Sequence, residues 1–126
     1  KMLVQLLLPF LLLHLCLCDD LDYKLLPYHS LTNFFHNLSD HFPNLIKVES
    51  VHSKYSVPFQ SGRCGNSNCT IYLATITDFA HSKKPKPKVY LSGNLHGDER
   101  LGPNVMAYLA EYLLENANRD ENVARL

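Results

Sequence analysis

The stretch 91–104, LSGNLHGDERLGPN, most constrains how this chain can fold, because a strand-like run ends there and a helical pattern begins at once. Residues 88–92 (KVYLS) have a near-continuous apolar centre, which is typical of a strand covered on both faces of a sheet. Residues 102–118 have helical periodicity, and Pro103 suits a first helical turn. His96 and Glu99 lie between the two elements. The sequence therefore predicts an α/β unit with both side chains at the exit of a central strand.

His96 and Glu99 have the chemistry to bind one divalent ion. Zinc accepts imidazole nitrogen and carboxylate oxygen, and catalytic zinc sites use three protein ligands and one open position. Gly93 and Gly97 allow tight backbone turns on either side of His96, and a helix that begins near Glu99 brings its carboxylate back towards His96. We predict that both residues are zinc ligands. The sequence shows no evident third ligand.

The spacing of these residues leaves a structural interpretation open. The side chain of Asp98 or Glu99 would then cap the start of the helix, and His96 would lie in a surface turn. A His and a Glu three residues apart also occur by chance, so spacing alone does not choose between a metal site and a helix cap.

The first half of the chain predicts a helix and two strands. An apolar face formed by Leu31, Phe34, Phe35 and Leu38 predicts a helix over 26–41, which Pro43 ends. Residues 45–52 and 70–77 are predicted to be paired strands. Residues 55–68 are rich in Ser, Gly, Pro and Asn and predict a turn and loop, and 82–88 predict a solvated connector.

The second predicted helix, over 102–118, presents an apolar stripe that we interpret as core. A further short helix is predicted over 121–126. The stripe consists of Val105, Met106, Leu109, Tyr112 and Leu113.

Residues 1–18 predict a secretory signal peptide. Lys1 supplies a positive end, an apolar run follows, and Cys16 and Cys18 are small residues in the arrangement that signal peptidase requires. A membrane anchor is the alternative, but a spanning helix needs about 20 apolar residues and this run is shorter and interrupted. We therefore expect a secreted protein with no stable membrane span after cleavage, whose folded portion is 19–126.

An oxidising compartment would allow a disulfide between two cysteines and N-glycosylation at two sequons. Cys64 and Cys69 flank a flexible loop and are expected to form a local disulfide. Asn37 and Asn68 begin Asn-x-Ser/Thr sequons and are predicted N-glycosylation sites at the surface. The chain has 126 residues and a formal net charge of zero, so it allows one small domain and gives no preference for nucleic acid.

The motif at 93–102, GNLHGDERLG, resembles the first zinc motif of the M14 family of metallocarboxypeptidases. Its Gly-Asn-x-His-Gly-x-Glu form is more similar to the carboxypeptidase N/E branch than to the pancreatic A/B branch. The order of helix, two strands, strand and helix resembles that family from about residue 21 to 126. Only the ten-residue motif is specific.

The resemblance implies a mixed sheet covered by helices and a Zn²⁺ enzyme that removes C-terminal residues from peptides or proteins. By resemblance His96 and Glu99 are the first two zinc ligands. The second His ligand, the carboxylate-binding arginines and the Glu general base lie downstream in the family, so we assign no catalytic residue here. We expect this chain to be an N-terminal portion of the enzyme, incomplete as a fold and inactive alone.

Two other functions remain open on the sequence. Zinc amidohydrolases that cleave acylated amino acids carry a similar His-Gly-x-Glu turn, although the signal peptide and the sequons argue against them. The other alternative is a non-catalytic secreted domain that binds peptides or partners.

Overall fold

The computed structural model describes residues 23–59, 61–81 and 86–125. The predicted signal peptide at 1–18 lies outside the described residues. The elements, in chain order, are α1 (Tyr28–His41), β1 (Ile46–Ser50), α2 (Val51–Tyr55), β2 (Arg63–Cys64), β3 (Ser67–Asn68), β4 (Tyr72–Ile76), α3 (Leu101–Asn116) and α4 (Glu121–Ala124). This mixture of helices and antiparallel strands confirms the predicted α/β class.

The two longer strands pair as the sequence predicts. β1 and β4 are antiparallel, and Ile46 lies opposite Ile76 at one end of the register and Ser50 opposite Tyr72 at the other. β1 is shorter than predicted, because the Ser50 side chain accepts a hydrogen bond from the Ser53 amide and caps the one-turn helix α2. The chain therefore turns into a helix where the sequence pattern favoured two more strand residues, Val51 and His52.

The core lies where α1, β1 and α3 meet. Leu38 of α1, Ile46 of β1, and Ala110 and Leu114 of α3 are buried together, and apolar side chains that are partly buried surround them. Ile46 is 1 % exposed and is the largest fully buried side chain among the described residues. The predicted face of the first helix is confirmed at Leu38, while the core contribution of α3 comes from residues other than the predicted ones.

The buried face of α3 is displaced by about one residue from the predicted stripe. Ala107, Ala110 and Leu114 are buried, whereas Val105 is 48 % exposed and Tyr112 is 52 % exposed. A helix packs through the face that lets its backbone approach its neighbour, and alanines shorten that distance. The prediction was therefore wrong for Val105 and Tyr112, because it weighed side-chain size and ignored the close packing that small residues permit.

No strand forms at 88–92, where we predicted the central strand. Val89 and Tyr90 are 81 % and 80 % exposed, and among the described residues the sheets are the β1–β4 pair and the β2–β3 pair. A strand is stabilised by hydrogen bonds to a neighbour, and no described strand lies beside this segment. Apolar composition alone therefore does not make this segment a strand.

A short hairpin interrupts the predicted loop at 55–68. β2 pairs with β3, with Arg63 opposite Asn68 and Cys64 opposite Ser67. Gly65 has a φ of 65°, which glycine adopts without steric cost in a tight turn. A disulfide joins Cys64 to Cys69 with their Cα atoms 5.1 Å apart. The disulfide thus joins the last residue of β2, just before the turn, to the residue that follows β3.

Candidate metal centre

The loop that carries His96 and Glu99 is closed at its base by two glycines. A Cβ added to Gly102 would lie 2.6 Å from the carbonyl carbon of Gly93 and 2.9 Å from its Cα, closer than real side chains approach. A Cβ on Gly93 would meet Gly102 and Pro103 equally closely. The two backbones therefore touch, and the loop between them is held as a compact ring at the N-terminus of α3.

The side chains of His96 and Glu99 converge inside this loop. His96 Nδ1 lies 2.8 Å from Glu99 Oε1, and Gly97, with a φ of 80°, turns the chain between them. An ionised carboxylate only accepts hydrogen bonds, so Nδ1 carries the proton and donates it. The sequence prediction that the two side chains approach each other agrees with this geometry.

Backbone amides orient the carboxylate from its other side. Glu99 Oε2 accepts hydrogen bonds from the amides of Leu95 at 3.1 Å and of His96 at 3.4 Å. The hydrogen bond from the His96 side chain, followed by that from the His96 amide, lowers the pKa of Glu99 below its ordinary value. The carboxylate is therefore held in its charged form, which is the form that binds a cation.

The alternative in which Glu99 caps the helix differs from this arrangement. Helix α3 begins after Arg100, which makes no side-chain cap hydrogen bond, and the Glu99 carboxylate accepts from amides of the preceding loop. The side chains of His96 and Glu99 are 71 % and 45 % exposed. An ion could therefore reach both donors from solvent.

The two donors fit a zinc ion after a small adjustment. Zinc binds imidazole nitrogen and carboxylate oxygen at about 2.1 Å, so two donors of a tetrahedral site lie roughly 3.4 Å apart. The observed 2.8 Å separation of Nδ1 and Oε1 must therefore increase, which exposed side chains achieve by small rotations. Binding would displace the proton between them.

No described His, Cys, Asp or Glu completes the set. Residues 23–59, 61–81 and 86–125 contain no group of three such side chains placed to hold a metal ion. The other histidines in the described part of the chain are engaged locally. Two make ring contacts, His29 with Tyr28 and His36 with Tyr72. Three bond to oxygen atoms, His41 to the Asn37 carbonyl, His52 to the Phe59 carbonyl and His81 to the Asp78 carboxylate.

Asp78 and His81 form a second carboxylate–imidazole pair with the same spacing. His81 Nδ1 lies 3.1 Å from Asp78 Oδ2, and the other carboxylate oxygen accepts hydrogen bonds from the amides of Ala80 and His81. This pair closes a turn after β4. It provides an internal comparison for His96 and Glu99, because both pairs join an imidazole to a carboxylate three residues away, although here the carboxylate is an aspartate and comes first in the chain.

The Asp78 carboxyl is expected to titrate below its ordinary pKa of 3.8, first because the His81 amide donates to it. The folded-state pKa is depressed, so this group stabilises the fold above pH 3.8, and the contribution is lost as the pH falls through the folded pKa. Carbon NMR of the carboxyl will show this. His81→Ala should raise the pKa only in part, since the amide remains. A wild-type pKa at or above 3.8 would contradict the assignment.

Asn104 is a residue near the site that the sequence analysis missed. It is 4 % exposed. Its Nδ2 donates to the Arg100 carbonyl at 2.8 Å, and its Oδ1 accepts from the Leu26 amide at 2.7 Å. Asn104 thus joins the end of the His96 loop to the segment before α1. A polar residue inside an otherwise apolar helical pattern was the available signal.

The structure also bears on the predicted glycosylation sites and on the expected absence of a membrane span. Asn37 on α1 and Asn68 on β3 are both exposed. Within the described part of the chain, no helix combines the length and the apolar character that crossing a bilayer requires.

Comparison with known proteins identifies the family. The zinc carboxypeptidase family model, peptidase M14, matches residues 31–126, a range that contains both His96 and Glu99. Searches of curated proteins and of solved structures gave no match. Since the family match covers most of the sequence and includes the closed His–Glu loop, the chain belongs to the zinc carboxypeptidase family.

Proposed function

We propose that this protein is a zinc metallocarboxypeptidase in which His96 and Glu99 are two of the three protein ligands of zinc. The observation that carries the proposal is the 2.8 Å approach of His96 Nδ1 to Glu99 Oε1 in a loop closed by Gly93 and Gly102. Family membership supports the reaction class. The form of the motif supports the carboxypeptidase N/E branch.

The substrates would be peptides or proteins with a free C-terminus. Bound zinc supplies a Lewis acid and a water of lowered pKa. In this chain His96 and Glu99 would hold the ion, and the amides of Leu95 and His96 keep the carboxylate oriented. We assign no general base and no substrate-binding arginine to the described residues.

We further propose that the protein enters the secretory pathway. The signal-like segment at 1–18 supports this, as do the disulfide between Cys64 and Cys69 and the exposed sequons at Asn37 and Asn68. Disulfides persist in oxidising compartments and are rare in the cytosol.

Zinc titration of the 126-residue chain tests the metal site. Wild type should bind one zinc ion. His96→Ala and Glu99→Gln should each weaken binding by at least about tenfold, since loss of even an outer-shell partner costs roughly 10–100-fold. The measurement is competition with a chromogenic chelator, together with the metal content after dialysis.

His81→Ala and Asp78→Asn are the matched controls for this titration, because they break another imidazole–carboxylate pair three residues apart. They should leave zinc affinity unchanged. Equal losses in both pairs would mean that zinc binds any exposed His–carboxylate pair, and the proposal would fail. The zinc-loaded chain should release no C-terminal amino acid from peptides, because we assign no general base and no substrate-binding arginine to the residues that the structure describes. Turnover sensitive to Glu99→Gln would contradict that assignment.

A further inference from the structure

The sequon at Asn68 is built into the disulfide hairpin. Asn68 is the last residue of β3 and pairs with Arg63, and Cys69, the middle residue of the sequon, is bonded to Cys64. The Cys69 amide also donates to the Gly62 carbonyl at 2.9 Å. The acceptor side chain is exposed, but the backbone that carries it is fixed from both sides.

The third residue of the sequon is fixed by a different element. The Thr70 amide donates to the hydroxyl oxygen of Tyr28 at 2.7 Å, and this hydroxyl donates to the Thr70 carbonyl at 3.0 Å. Tyr28 is the first residue of α1. The folded sequon is therefore held at every position.

A glycosyltransferase must draw the sequon into its own active site. The enzyme takes up the acceptor amide together with the hydroxyl residue two positions later, on a flexible segment. In the folded chain this movement is opposed by the β2–β3 pairing, by the disulfide and by the hydrogen bonds between Tyr28 and Thr70. We propose that closure of the Cys64–Cys69 disulfide competes with N-glycosylation of Asn68, so that only chains reached before closure carry the glycan. The proposal rests on entry into the secretory lumen.

Glycosylation and disulfide closure modify neighbouring residues of the same hairpin. In glycosylation, a bond forms between Asn68 Nδ2 and the anomeric carbon of a lipid diphosphate-linked oligosaccharide. The bond from that carbon to the diphosphate breaks, and the amide loses a proton while the diphosphate leaves with the electron pair. In closure, the two thiols lose two protons and two electrons to a disulfide-bearing thiol oxidoreductase.

The hairpin can close early, because the two cysteines are five residues apart. Contact within so short a segment needs no other part of the fold, and loops of about ten residues close within roughly 10–100 ns. Thiol oxidation, which takes seconds or longer, sets the pace. Conditions that slow oxidation should therefore lengthen the period in which Asn68 can be modified.

Cys64→Ser is the decisive variant, because it prevents the disulfide and leaves the sequon Asn68-Cys69-Thr70 intact. The full chain is translated with microsomes, and occupancy at each sequon is measured by mass spectrometry of the protease-protected pool. We expect several-fold higher occupancy at Asn68 in Cys64→Ser than in wild type. Dithiothreitol should raise the wild-type value towards that of the variant. Equal occupancy at Asn68 in both chains, high or low, would overturn the proposal.

Asn37 is the internal control, since its sequon lies on α1 and contains no cysteine. If Cys64→Ser raises occupancy at Asn37 as much as at Asn68, the cause is general unfolding, and the proposed competition is wrong. A second arm places an independent cleavable leader ahead of the whole chain. A chain that is protected only in this arm disproves entry through its own leader, while its Asn68 occupancy still decides the competition.

Discussion

Gly102→Ala is expected to lower the free energy of unfolding by roughly 3 kcal/mol, at the upper end of the usual cost of overpacking. It should also weaken zinc binding. The added Cβ would lie 2.6 Å from the carbonyl carbon of Gly93. A backbone atom cannot rotate away as a side chain can, so either the loop or the start of α3 must move.

The consequence for the site follows from the ring that the two glycines close. His96 and Glu99 lie between Gly93 and Gly102, and their 2.8 Å approach depends on how the ends of this loop are held. Forcing the ends apart should loosen the loop and separate the two donors. Denaturant unfolding followed by circular dichroism gives the stability change, and the zinc titration gives the change at the site.

Gly97→Ala is the comparison within the same loop. Gly97 has a φ of 80°, but a Cβ there would meet nothing within 4 Å, so the cost is the left-handed backbone alone, about 1–2 kcal/mol. Gly102→Ala should therefore be the more destabilising of the two. If Gly97→Ala costs as much or more, the close approach of Gly93 and Gly102 is not what holds the loop.

The contact between Gly93 and Gly102 also shows how far the sequence could predict the site. The sequence predicted that the side chains of His96 and Glu99 approach each other, because Gly93 and Gly97 allow tight turns and a helix beginning near Glu99 returns its carboxylate towards His96. The sequence could not predict the contact of Gly93 with Gly102, because that contact depends on the directions in which the chain enters the loop at Gly93 and leaves it at Gly102. A turn can be predicted from local residues, whereas a close approach between backbones cannot.

The helices and strands also differ in how far local sequence could predict them. α1 and the β1–β4 pairing were predictable, because Leu38 and Ile46 follow local apolar patterns and both are buried in the core. The strand predicted at 88–92 depended on partners elsewhere, and Val89 and Tyr90 are exposed instead. The buried face of α3 was misplaced because alanine carries little hydrophobic signal and still permits the closest packing.

Asn104→Ala is the second large effect that we expect, a loss of about 2 kcal/mol in the free energy of unfolding. Truncation removes both hydrogen bonds of a side chain that is 4 % exposed and leaves the Leu26 amide and the Arg100 carbonyl without it. A buried donor or acceptor left unpaired costs about 1–3 kcal/mol. The measurement is denaturant unfolding of the two chains under identical conditions.

Asn116→Ala is the matched control on the same helix. Asn116 Nδ2 donates to the Tyr112 carbonyl at 2.8 Å, the same side-chain bond to the carbonyl four residues earlier that Asn104 makes. It makes no described hydrogen bond to the segment before α1. Its replacement should change the free energy of unfolding by about 0.5 kcal/mol or less, as most surface substitutions do.

Asn104→Asp separates the two roles of the side chain. Aspartate retains an oxygen that accepts from the Leu26 amide, but an ionised carboxylate has no proton to donate to the Arg100 carbonyl. Because Arg100 directly follows Glu99, loss of that bond should reduce zinc affinity even where the tie to Leu26 survives. If Asn104→Asp binds zinc as wild type does while Asn104→Ala is destabilised, then Asn104 supports only the packing of the N-terminal segment, and the metal loop is held by its glycines alone.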